Sequence, residues 1–223
     1  MMKPAVVALL GLVAAGAAPR GELRIKASPA VRPCVAAAAA VFQKASGIPV
    51  VVRTGDVFSV ASAEGADVVV AVEEELTRVI EGGASRPDQD VEVARIPWVL
   101  ATSGRQPAAD VQALERSATR VLVLGGSVGR EARRSLQALA PSRVRTLRDP
   151  EGPVSLEPGE AAVVPLSLAP PGEVRSLSLP PLLVRAVGVR ASPRPEAARA
   201  FLDFLTSGAG ASAFAACGRE DAP

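Results

Sequence analysis

Side chains able to do chemistry are few in this chain, and the type that is missing narrows the field most. None of the 223 residues is a histidine. That removes Ser-His-Asp and Cys-His nucleophile activation, imidazole general bases and nearly all common zinc sites. What remains is a set of small hydroxyls and glycines placed where strands hand over to helices. Ser28 follows the alternating strand ELRIKA, Thr54 follows IPVVVR, and Gly125-Gly126-Ser127 stands between RVLVL and a helix. Hydroxyls and backbone N–H groups at helix N-termini can hold a buried anion without a lysine or arginine. The same residues also serve as plain helix caps and strand terminators. The glycine turn is not a nucleotide loop, because it lacks both the Lys-Ser/Thr of the P-loop and the spacing of the dinucleotide fingerprint.

An enzyme of hydrolase type would need Asp56, Glu73 or Glu75 beside a nucleophile. Glu73, Glu74 and Glu75 read instead as the solvated first turn of a helix, where acids complement the dipole. The residues assign no catalytic group and no metal site, so the chain reads as a non-enzyme without a cofactor.

The two cysteines, Cys34 and Cys217, stand near opposite ends of the chain. Their meaning depends on the compartment. Lys3 precedes an apolar run at 5–15, and Ala15-Gly16-Ala17 then gives the small-x-small pattern of a signal peptidase site. The run is well short of the roughly 20 residues of a spanning helix. Residues 1–17 are therefore expected to be a signal peptide, with the mature chain starting near Ala18 and no lipid-anchoring cysteine behind it. An oxidising compartment favours a Cys34–Cys217 disulfide. Two buried thiols, or a reactive Cys34 at a helix N-terminus, are the other readings.

The elements that position these residues alternate between strand and helix. Strands are expected at 22–27, 48–53, 66–72, 120–124, 161–166 and 182–189, with one long extended stretch at 91–101. Helices are expected from Pro33 to Gly47, at 73–81, near 111–117, at 130–140, from Pro195 to Gly208 and at 209–217. The unbroken apolar run at 66–72 is typical of a strand covered on both faces. Apolar residues make up 48% of the chain but aromatics only 3%, so the core must be Ala, Val and Leu, and stacking platforms for bases are lacking. A net charge of +2, with basic residues scattered, implies neither nucleic acid nor an anionic membrane as partner.

Three stretches resemble the periplasmic molybdate-binding proteins of ABC importers. They are LRIKASPAV with GIPVVVRTG, GADVVVAVEEELTRVIEGG, and SPRPEAARAFLDFLTSGAGASAFAACG. The fragments GREARRSLQAL and LEPGEAAVVPLS are similar in layout only. The resemblance implies an α/β, two-lobed type 2 periplasmic-binding-protein fold with two crossover strands. Lobe 1 would comprise 18–98 and 182–223, and lobe 2 would comprise 99–181. The lobes would close about a hinge at 96–101 and 182–187, around the single tryptophan, Trp98. It also implies a small oxyanion of the molybdate or tungstate kind, held in the cleft by Ser28, Thr54, Gly125, Gly126 and Ser127.

The partner would be the ABC transporter's membrane permease, and the protein a monomer of the periplasm. Asp56 is a departure, since a carboxylate in the cleft would repel a dianion, whereas a capping carboxylate would point into its own backbone. The family's cleft tyrosine is replaced by Pro165-Leu166-Ser167. A degenerate or sensory relative with no small oxyanion ligand is the other reading of the same lobes.

Overall fold

The structure is a computed structural model, and the described residues are 21–217 without 56, 58–60, 104–112, 115–119, 138–139, 149, 151 and 173. The expected signal peptide, Asp56 and most of the expected helix near 111–117 lie outside the described residues.

Two mixed five-stranded sheets build two lobes. In the first sheet the order is β2 (Val50–Thr54), β1 (Leu23–Ala27), β3 (Val68–Val72), β10 (Leu182–Val189), β4 (Ser85–Ile96). Strand β1 runs parallel to both β2 and β3, while β10 is antiparallel to β3 and β4. The second sheet repeats that plan. Its order is β7 (Val144–Leu147), β6 (Arg120–Leu124), β8 (Glu160–Pro165), β5 (Trp98–Thr102), β9 (Val174–Ser176). Strand β6 is parallel to β7 and β8, and β5 is antiparallel to β8 and β9.

The period of two explains why β3 reads as an unbroken apolar run. Val68, Val70 and Val72 face the layer of α1 (Arg32–Ser46), α4 (Pro195–Thr206) and α5 (Gly208–Ala215). Val69 and Ala71 face Leu76 and Val79 of α2 (Glu73–Glu81) on the opposite side. Few aromatics are available, and three of them meet in one place. Phe42 of α1 packs edge-on against Phe201 of α4, with ring centroids 5.2 Å apart, and Phe204 completes the group. The helix-ending role of Gly47 follows from its φ of 73°, a left-handed conformation that glycine adopts without strain.

The first extended stretch differs from expectation. Strand β4 begins at Ser85 and runs through Pro87, rather than starting at Val91 after a Pro-Asp-Gln-Asp lead-in. As the edge strand of its sheet it tolerates a proline that a central strand would not. It stops at Ile96, and after the single residue Pro97 the chain enters β5 in the other sheet. The return passage runs beside it. Leu177 donates to the Trp98 carbonyl at 2.9 Å, and Leu182 is already paired with Ile96. The second crossing therefore occupies 177–181, ahead of the expected 182–187, because β10 is bonded on both sides within the first sheet. The helix expected at 130–140 is α3 (Arg130–Ser135), followed by a turn. Strands β7 and β9, short and weakly patterned, fall in a segment expected to hold only loops and short elements.

Cys34, in the first turn of α1, and Cys217, just beyond α5, form a disulfide with Cα atoms 4.8 Å apart across a sequence separation of 183.

Candidate functional site

In each sheet the central parallel strand has one successor on either side, β1 between β2 and β3, and β6 between β7 and β8. Sheets wound in this way leave a crevice at the carboxyl ends of those strands. The crevices of the two lobes face one another and enclose a cavity of about 270 Å³. Pro29 and Ala30 reach it from the end of β1, Gly55 from the end of β2 and Glu75 from the helix after β3. From the second lobe come the turn Leu124, Gly125, Gly126 and Val128 after β6, and Leu147, Arg148 and Pro150 after β7.

Ser28 is completely buried and does not itself line the cavity, whereas the next residue, Pro29, does. The Ser28 N–H donates to the Val70 carbonyl at 3.0 Å, and the Ser28 carbonyl accepts from Val31 and Arg32 at 3.1 and 3.0 Å. The backbone of Ser28 thus starts α1, but no side chain caps that helix. The Ser28 hydroxyl has no hydrogen-bond partner among the described residues. Thr54 is the last residue of β2, paired in register with Ala27 and partly buried. Its neighbour Gly55, rather than Thr54 itself, lines the cavity.

The glycine turn is shaped by its surroundings. Gly126 has a φ of 65°, and a Cβ on Gly129 would overlap the Leu124 carbonyl. Arg133 of α3 reaches back and donates from its two terminal nitrogens to the carbonyls of Leu124 and Gly126, each at 2.6 Å. This draws those carbonyls to the guanidinium. The N–H groups of Gly126, Ser127 and Val128 make no backbone hydrogen bond among the described residues. Ser127 itself borders a second interlobe cavity of about 270 Å³, shared with Glu73, Glu74, Arg130, Arg134, Trp98 and residues 180–183. Its hydroxyl is buried and also has no partner among the described residues. The turn therefore separates two cavities, with Val128 lining both.

The first turn of α2 is not uniformly solvated, which corrects the reading of its three acids. Glu74 is exposed and Glu73 pairs with Arg185 at 3.1 Å, but Glu75 is only 4% exposed and lines the cleft. Glu75 lies on the helix face that also buries Leu76 and Val79, so the spacing that directs those two inward carries the carboxylate with them. Sequence reasoning also passed over Arg148 and Arg133. The position of Arg148 directly after a strand could have marked it, had β7 been recognised.

Ser167 stands where the resemblance expected a cleft tyrosine. Its hydroxyl donates to the carbonyl of Ala30 at 2.5 Å, a buried hydrogen bond that joins the second lobe to the first beside the cavity.

The fold is shared with solved structures at low sequence identity. The Azotobacter vinelandii periplasmic molybdate-binding protein matches with a TM-score of 0.73 and 14% identity, covering 88% of this chain and 97% of that one. Peb3 from Campylobacter jejuni matches with a TM-score of 0.62 and 10% identity, over 88% and 98% of the two chains. The sulfate-binding protein SubI from Mycobacterium tuberculosis H37Rv gives 0.61 and 17%, over 88% and 85%. No curated protein matches the sequence. Residues 23–220 match the family of bacterial extracellular solute-binding proteins, so nearly the whole chain, both lobes and the cleft between them included, belongs to that family.

Proposed function

We propose that this protein is the exported capture component of an ABC importer, taking a small tetrahedral oxyanion into the interlobe cleft and delivering it to a membrane permease. The observation that carries the reading is Ser28: a completely buried hydroxyl, without a partner among the described residues, one residue before Pro29 in the cavity wall. Leaving such a group unsatisfied costs about 1–3 kcal/mol, which a bound acceptor would offset. The N–H groups of Gly126, Ser127 and Val128 offer further neutral donors from the facing lobe, and Arg148 adds positive charge. Thr54, one residue from the cavity wall, supplies a further hydroxyl if the lobes close on a ligand.

The named ligands of the structural neighbours, molybdate and sulfate, belong to the class that such donors fit. The chain acts as a monomer in the periplasm, its mature end near Ala18. Isothermal titration of the purified protein with molybdate, tungstate, sulfate and phosphate tests the reading. Saturable, reversible binding without turnover is expected, and the absence of binding to all four would favour a degenerate relative instead.

A further inference from the structure

Away from the two crossings, the lobes are joined by a hydrogen bond that neither sheet requires. Ser167 is 2% exposed, and its hydroxyl donates to the Ala30 carbonyl at 2.5 Å. A short 3₁₀ turn, Leu166–Leu168, presents this serine directly after β8 of the second lobe. That turn is fixed at both ends. The Leu166 N–H donates to the carbonyl of Pro97, the residue of the first crossing, at 2.9 Å, and the Leu168 carbonyl accepts from Val154 at 2.9 Å. Ala30 is held as firmly on the other side, between β1 and α1, where the Ser28 carbonyl accepts from Val31 and Arg32. Ala30, Val31, Trp98 and Leu168 belong to one buried core that runs through both lobes, and Ala30 also lines the cleft. The bond therefore sits between hinge and cavity, shielded from water. Both partners are fixed to their own lobes, so a rotation that opens the cleft widely has to break the bond.

We infer that Ser167 is a positioning residue for ligand capture, a clasp that limits how far the lobes part without a ligand and keeps the two cleft walls within reach of one ion. A protein whose binding-competent arrangement is only partly populated loses apparent affinity in proportion. Ser167 raises that population before any ligand arrives, and the ligand completes closure about the clasp. The gain in affinity rests on the cleft being the oxyanion site proposed above, whereas the limit on opening does not.

Small-angle scattering of the mature protein and of Ser167→Ala, each with and without molybdate or sulfate, tests the clasp. The variant should have a larger ligand-free radius than the parent and the same radius once saturated. A buried hydrogen bond shifts an equilibrium by roughly 2- to 10-fold, so calorimetry should find the variant's oxyanion affinity lower by a factor in that range. A hydroxyl with only a local structural role would lower the melting temperature and leave the ligand-free radius where it was. An unchanged ligand-free radius overturns the clasp, and an enlarged radius with unchanged affinity overturns its part in capture. Should Ser167→Ala fail to fold, the parent alone decides. Trp98 is completely buried, borders the second interlobe cavity and pairs with Pro165 just before the turn. In the ligand-free parent it should resist acrylamide quenching, and ready quenching overturns the proposal. If the parent binds neither ion, the oxyanion reading loses its support, and the ligand-free radius still decides the clasp.

Discussion

Ser28 and Asp67 are both completely buried polar residues, and they differ in whether the protein satisfies them. Asp67 accepts from the Arg24 N–H at 2.8 Å and the Ser192 hydroxyl at 2.6 Å, and pairs with Arg194 at 3.1 Å. It is a structural group, tying β3 to β1 and to the segment that leads into α4. Removing one member of a buried ion pair costs about 3–5 kcal/mol because the other charge is stranded. Asp67→Ala should therefore lower the melting temperature by roughly 6–20 °C in a chain of this size. The oxyanion affinity of the folded fraction should not change. Ser28→Ala is expected to do the opposite. A hydrogen bond to a charged group is worth about 1.5–3 kcal/mol, so affinity should fall roughly 10- to 150-fold, while the ligand-free protein melts no lower than the parent. Calorimetry and thermal melts on both variants separate the roles, and a Ser28→Ala protein that melts early but binds normally would make Ser28 structural.

At the level of elements, the cleft depends on a turn whose shape is held from behind. Arg133 bridges two carbonyls of the turn, a task for a planar fork of donors rather than a point charge. Arg133→Lys should therefore weaken oxyanion binding roughly tenfold, equivalent to about 1.4 kcal/mol, although residue 133 lines neither interlobe cavity. Unchanged affinity would show that the turn keeps its form unaided. The helices of the first lobe are secured differently. The Cys34–Cys217 bond ties α1 to the chain just after α5 and closes nearly the whole sequence into one loop. Loop-entropy models assign about 4–5 kcal/mol to so long a closure. Thiol titration of the denatured, unreduced protein should find no free cysteine, and a reductant should lower the melting temperature.

For the whole molecule, the two crossings at Pro97 and 177–181 lie side by side, held by the Leu177–Trp98 hydrogen bond. Paired crossings of this kind let lobes rotate as rigid bodies while a few residues absorb the change. Trp98 is completely buried, yet it borders the second interlobe cavity, whose walls belong to different lobes. It is the only tryptophan in a chain without tyrosine, so its emission reports on this place alone. At 100 times its dissociation constant a ligand adds about 2.7 kcal/mol of stability, a melting shift of roughly 5–11 °C. Trp98 emission should change with the same midpoint, and the scattering radius should shrink. A melting shift with both signals fixed would mean that the cleft is preformed. The Ser167–Ala30 bond already joins the lobes on one side of the cavity.

How much of this could be read from the sequence follows from the range of the forces involved. Local patterning was enough for α2 at Glu73–Glu81, β6 at Arg120–Leu124 and β10 at Leu182–Val189, where period, glycine stops and apolar runs act within a few residues. The missing histidines and the strand-to-helix placement of Ser28 and the glycine turn were equally visible, since they depend on composition and order alone. Strand β4 was not legible in full, because Pro87 breaks a strand or not according to whether a neighbour is bonded on its side. Short strands such as β7 form only once β6 is there to pair with, so Arg148 went unnoticed. Glu75 shows the limit most plainly. Its first-turn position favours an acid whether the helix end meets water or a second lobe, and only the packing of one lobe against the other determined that this residue would be buried at a cleft wall.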